Sequence, residues 1–118
     1  GTEKDPVSPW RSTWKIARLT DAPVTFLLTN GGHNAGIVTP PGHPRRIYQV
    51  GLLHDHQGYV DPDRWREASP VHKGSWWPEW QAWLAKNSGA PVAPPPLGNA
   101  EAGYAALEAA PGRYVLQP

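Results

Sequence analysis

Cysteine is absent from the 118 residues, which excludes a disulfide framework, a thiolate metal site and any cysteine nucleophile supplied by this chain. No apolar run approaches the ~20 residues of a bilayer span, and the first residues lack a basic-then-apolar signal pattern. A cytoplasmic setting without a membrane span is the expectation. Charge of one sign is also lacking: the net value of +1 leaves no excess to recruit nucleic acid or an anionic membrane surface. Aliphatic side chains are scarce, with Val, Ile, Leu and Phe together supplying 21 of 118 residues. That level signals disorder only alongside high net charge.

Seven Trp and four Tyr make up the deficit, so the core is expected to be aromatic, built from few large rings that each bury roughly 150–250 Å². Fifteen Pro imply long irregular connections between short elements.

Residues Gly1–Trp10 read as a loop following an earlier segment, with no folding nucleus of their own. Ser8 as N-cap and Pro9 at the first helical position predict a helix over about Pro9–Leu19, with Trp10, Trp14 and Ala17 on one face. Val24–Thr29 is a short run of β-formers, apolar enough to predict a strand buried on both faces, as in an α/β sheet. Asn30-Gly31-Gly32 fits a hairpin turn, but no strand pattern resumes at His33–Gly36, and a functional loop is the preferred reading.

Arg45–Leu53 alternates weakly as a second strand, with Ile47 and Val50 as inward positions. Asp61 caps a short helix through Ser69 that turns Trp65 inward, and Pro70 closes it. The best-defined helix begins at Ser75, repeats Trp76, Trp77, Trp80, Trp83 and Leu84 at helical spacing, and stops at Gly89 after Lys86. Beyond it, Ala90–Gly98 reads as extended proline-rich chain. The tail predicts a helical turn within Ala100–Leu107 and an extended end at Arg113–Leu116.

His33 stands in a glycine-rich turn at the end of the most strand-like segment, where an α/β-hydrolase keeps its general base. One helix and one strand, the length of one α/β repeat, separate Asp5 from His33. Asp5 could then face His33 across a sheet edge and fix its tautomer. The plainer readings are a turn residue before proline for Asp5 and an ordinary loop residue for His33, and spacing alone leaves both open.

Other candidates have equally plain alternatives. His54-Asp55-His56 alternates like a metal site but lacks a further clustered ligand, so no metal is expected. His43-Pro44-Arg45-Arg46 is either a phosphate contact or an exposed strand start. The Trp76–Trp83 cluster is expected to be core, with a docking surface as the alternative.

Asp5–Trp10, Gly31–Gly42, Lys73–Trp80 with Trp83 and Leu84, and the closing Ala110–Val115 together resemble the C-terminal part of polyhydroxyalkanoate synthases, the poly(3-hydroxybutyrate) polymerases of the PhaC type. The resemblance implies an α/β-hydrolase fold and a Cys-His-Asp triad, with His33 as its histidine and Asp5 as its aspartate. The nucleophilic cysteine would lie in an upstream Gly-x-Cys-x-Gly elbow outside this chain, leaving the chain inert alone. The reaction implied is acyl transfer from a (R)-3-hydroxyacyl-coenzyme A to a growing polyester, without a separate cofactor. Asp5 would orient His33 or help deprotonate the attacking hydroxyl. One departure stands out: the family usually has histidine directly after the aspartate, and here the residue is Pro6.

The fold class expected is α/β, a fragment with few strands, about three helices and long Pro-rich loops. Residues 1–89 would belong to the catalytic domain and 90–118 would form a spacer and tail. Expected partners are hydroxyacyl-CoA and polyester, with a possible homodimer and a location in the cytoplasm or at the polyester granule surface. Two other classes remain open: a non-enzymatic interaction or granule-binding module, and part of a serine-type hydrolase or depolymerase.

Overall fold

Phe26 and Leu28 lie two apart on the strand β1 (Val24–Thr29) and are both buried, as the alternation of a pleated strand requires. A computed structural model describes residues 1–53 and 58–118. The chain divides into two units, Gly1–Ser88 and Gly89–Pro118.

In the first unit, α1 (Trp10–Thr13) runs directly into a 3-10 helix (Trp14–Arg18). β1 pairs antiparallel with β2 (Ile47–Leu53), in register from Val24 opposite Leu53 to Thr29 opposite Tyr48. β2 pairs antiparallel with the short β3 (His72–Lys73), giving the order β1-β2-β3. On the other edge of β1, Thr2 makes a parallel bridge to Thr29. The result is a small mixed helix-and-strand fold, with parallel pairing confined to that bridge among the described residues.

The core is the aromatic cluster that the composition predicts: Trp10, Trp14, Phe26, Leu28 and Trp65, with Leu53 against it. Phe26 meets Trp14 edge-on at 4.8 Å and Trp65 at 5.3 Å with planes at 90°. These T-shaped contacts set the positive edge of one ring against the negative face of the next. The Trp14 indole, buried with its polar end, donates to the Val60 carbonyl at 3.1 Å.

Helix α2 (Pro62–Ala68) brings Trp65 into this cluster. Asp61 caps it as the sequence predicts, accepting from the Asp63 and Arg64 N–H groups. At its other end Gln49 of β2 donates to the Arg66 and Ser69 carbonyls at 2.6 and 2.7 Å. The sheet thus satisfies carbonyls that a helix end leaves unpaired. Ion pairs join Arg11 to Asp63 and Arg66 to Glu3.

Several expectations need correction. The first helix is capped at Pro9 with no side-chain bond, and Ser8 instead gives its backbone N–H to Asp5. β1 is covered unevenly: Phe26 and Leu28 are buried on one face, while on the other Thr25 is exposed, Leu27 partly covered and Thr29 buried. Ile47 is exposed while Val50 is partly buried, since residues three apart on a strand face opposite sides.

Helix α3 (Trp77–Lys86) has no buried residue, and Trp80, Trp83 and Leu84 are exposed, so the tryptophan cluster is not core. Its first turn is held by polar bonds to the loop after β1 and does not enter the cluster around Phe26. Asn87, not Gly89, ends this helix, its side chain donating to the Trp83 carbonyl at 2.8 Å.

In the second unit, Gly98–Asn99 (β4) and Tyr104–Ala105 (β5) form a short hairpin in place of the expected helical turn. The Asn99 side chain accepts the Ala102 N–H at 3.1 Å and initiates that turn, as short polar side chains do. Tyr114–Leu116 is a 3-10 turn and not extended. Among the described residues no helix is long and apolar enough to cross a membrane.

Phe26→Ala empties the centre of the aromatic cluster, and a loss of about 3–5 kcal/mol is expected. Asp61→Ala, which removes one cap at the surface, costs about 1 kcal/mol. Denaturant midpoints of the two variants against wild type check the contrast.

Candidate active site

A parallel bridge makes two chain segments leave a sheet at the same edge. Thr2 pairs with Thr29; backbone bonds run from Thr29 N to Gly1 O at 3.1 Å, Glu3 N to Thr29 O at 2.9 Å and Lys4 N to Gly31 O at 2.8 Å. The residues that follow each segment therefore emerge side by side, and these are Asp5 and His33. His33 Nδ1 lies 2.9 Å from Asp5 Oδ2.

The Asp5 carboxylate is held from both ends. Oδ1 accepts the Val7 and Ser8 N–H groups, each at 2.9 Å, and Oδ2 faces His33 and the Thr2 hydroxyl, the latter at 3.3 Å. This is a turn of the kind that aspartate builds by accepting from the backbone two and three residues on. Pro6 fits it, because the position between Asp5 and Val7 gives no donor to the carboxylate. The Ser8 N–H foremost, with His33 and Val7 adding and desolvation opposing, lowers the Asp5 pKa to about 2.

Asp5 is therefore ionised at neutral pH and can only accept. The 2.9 Å contact then requires a proton on His33 Nδ1, so that in the neutral imidazole the free lone pair is on Nε2. The Asp5 side chain is 7% exposed and that of His33 49%, so the carboxylate is sheltered while the imidazole is accessible.

The loop carrying His33 is closed at its neck by Asn30. Its side chain donates to Arg45 O and accepts from Ile47 N, both at 3.1 Å, and its own N–H donates to Ile47 O at 3.1 Å. Two glycines are required here. Gly31 has φ +109°, and a Cβ would come within 2.6 Å of the Arg46 guanidinium; at Gly36 one would meet Thr2 Cγ2 at 2.6 Å. Thr39, fully buried, donates to Ala35 O at 2.8 Å. Trp76 Nε1 donates to Gly36 O and Ile37 O at 3.2 Å, and Trp77 Nε1 to Ile37 O at 2.8 Å.

Sequence comparison bears on what this arrangement serves. Over 112 residues, 94% of its length, the chain is 41% identical to poly(3-hydroxyalkanoate) polymerase 1 of Ectopseudomonas oleovorans. It is 37% identical over 98% of its length both to the poly(3-hydroxyalkanoate) polymerase subunit PhaC of Cupriavidus necator and to that of Rhizobium etli. This chain matches a segment of poly(3-hydroxyalkanoate) polymerases. It spans 17–19% of the length of these three relatives. No family model matches the chain.

Of the residues marked out in the sequence, Asp5 and His33 are brought together. Arg46 turns back toward the loop, its Nη1 3.4 Å from Asn30 O, and His43 Nδ1 accepts the Arg45 N–H at 3.3 Å. His54, Asp55 and His56 lie outside the described residues. Sequence reasoning missed Thr2, Asn30, Thr39 and the polar use of Trp76 and Trp77. Asn30 had a readable signal as a turn-forming residue at a strand end, and tryptophan always carries a donor that burial must satisfy.

Because its folded pKa of about 2 lies below the ordinary 3.8, Asp5 contributes stability above that ordinary value and loses it as pH falls toward 2. The difference in unfolding free energy between wild type and Asp5→Asn is expected to be largest above about pH 4 and to shrink on acidification toward pH 2. Paired denaturation curves across that window measure it.

Proposed function

We propose that this chain supplies the acid–base half of the active site of a polyhydroxyalkanoate polymerase, His33 acting as general base and Asp5 holding its tautomer. The observation that carries the reading is the 2.9 Å contact between His33 Nδ1 and an ionised, backbone-anchored Asp5. It leaves Nε2 as the accepting atom on an accessible imidazole. The parallel bridge from Thr2 to Thr29, with a helix between the two bridged segments, supports placing the segment in an α/β-hydrolase catalytic domain.

In this reading Nε2 takes the proton of a cysteine thiol supplied from outside this chain. The thiolate attacks the thioester carbonyl of a (R)-3-hydroxyacyl-coenzyme A; a new carbon–sulfur bond forms, the bond to coenzyme A breaks, and the proton passes from His33 to the departing thiolate. Nε2 then accepts the proton of the hydroxyl that attacks the next hydroxyacyl-coenzyme A thioester; a carbon–oxygen bond forms, the carbon–sulfur bond to coenzyme A breaks, and the proton passes from His33 to the departing thiolate, extending the polyester. Asp5 stabilises the imidazolium at each step. No cofactor is needed, since the substrate carries its own coenzyme A, and the isolated chain is inert. A cytoplasmic enzyme acting at the polyester granule, assembled as a homodimer, belongs to the same proposal.

A second reading rests on α3. The exposed Trp80, Trp83 and Leu84 would suit an apolar contact with polyester or a granule surface, with no catalytic part for the pair. The two readings separate in a polymerase whose polypeptide includes this segment. His33→Gln is expected to lower kcat for 3-hydroxybutyryl-CoA by about 10²–10⁴-fold with KM little changed. Turnover within a fewfold of wild type would leave only the contact role.

A further inference from the structure

A row of donors meets the carbonyls of the loop 33–39 that follows His33. Trp76 Nε1 donates to Gly36 O and Ile37 O, each at 3.2 Å, and Trp77 Nε1 donates to Ile37 O at 2.8 Å. The Ser75 hydroxyl donates to Thr39 O and accepts the Trp77 N–H at 3.1 Å. Thr39 Oγ1 in turn donates to Ala35 O at 2.8 Å.

An indole N–H can only donate, and its ring is a stiff arm with two rotatable bonds, so each bond fixes a carbonyl at small entropic cost. Neither Trp76 nor Trp77 belongs to the core around Phe26. Burial in that cluster does not explain why two adjacent tryptophans stand at the start of α3. Carbonyl capture does.

The geometry points to Trp76 and Trp77 as positioning residues for His33: their indole N–H groups hold the turn that presents the imidazole to Asp5. Asn30 closes that turn at its neck, and the two indoles hold its far side, so His33 sits between two anchored points. Without the indoles, Gly36 and Ile37 lose their side-chain donors, the turn loosens, and His33 Nδ1 spends less time on Asp5. The inference rests on the general-base reading for its catalytic meaning, but the coupling can be read without turnover.

The test uses the uniformly ¹⁵N-labelled 118-residue chain. In wild type the His33 Nδ1 proton and the indole protons of Trp76 and Trp77 should exchange with solvent more slowly than the indole proton of Trp83, for which no bond is found among the described residues. Trp76→Phe and Trp77→Phe keep a ring and delete the donor. Each is expected to speed exchange of the His33 proton by roughly fivefold, as expected for one modest hydrogen bond, with Phe26 and Leu28 amide protection unchanged. Trp83→Phe should change neither.

An unchanged His33 proton in the folded Trp76→Phe/Trp77→Phe double variant would overturn the proposal. Should that variant lose β1 protection, the wild-type comparison decides: Trp76 and Trp77 indole protons exchanging as fast as that of Trp83 sink it. Failure of the general-base reading looks different, because turnover would survive His33→Gln while the Trp variants still release the His33 proton.

Discussion

The parallel bridge between Thr2 and Thr29 is the constraint on which the site depends. Two segments running the same way at the bridge deliver their following residues to one end of the sheet, whereas the antiparallel β2 delivers its next residues to the other end. Asp5 and His33 are far apart in sequence, and the bridge makes them neighbours before any side chain contributes. The 2.9 Å contact between them follows from that placement together with the turn Asp5 builds on Val7 and Ser8.

The carboxylate does two jobs with separate oxygens. Oδ1 ends the N-terminal segment by accepting from the backbone, and Oδ2 orients the imidazole. Because the backbone bonds lower the Asp5 pKa even without His33, the negative charge is already in place for the imidazolium that the proposed general-base role requires. Electrostatic preorganisation of this kind costs no rearrangement at the moment of proton transfer. The Pro6 departure from the synthase pattern is compatible with it, since the carboxylate takes its donors from the residues after proline.

Polar anchoring and aromatic packing divide the first unit between them. Around Phe26 the rings meet edge to face and exclude water, which holds α1, α2 and the sheet together. Around His33 the same residue type is used for its N–H, and the loop is held by indole, hydroxyl and amide donors. That division explains why α3 keeps its later tryptophans exposed: its first turn has a polar task, and the rest of the helix extends from it.

The sequence by itself marked the main elements of the first unit and, through the family resemblance, the two residues of the pair. Asp61 before Pro62, the β-formers of Val24–Thr29 and the glycines flanking His33 are short-range signals, decided by capping, pleating and backbone freedom within a few residues. Only the tertiary structure decided that Thr2 lies beside Thr29, that Asn30 closes the loop and that Trp76 and Trp77 donate to it. Those outcomes depend on which strand pairs with which and in what register. Helical spacing of tryptophans marks an apolar stripe but is silent on whether another element covers it, so α3 read as core and folded as an anchor. The Asp5–His33 contact needed both: residue types legible along the chain, and a parallel pairing that only the folded sheet provides.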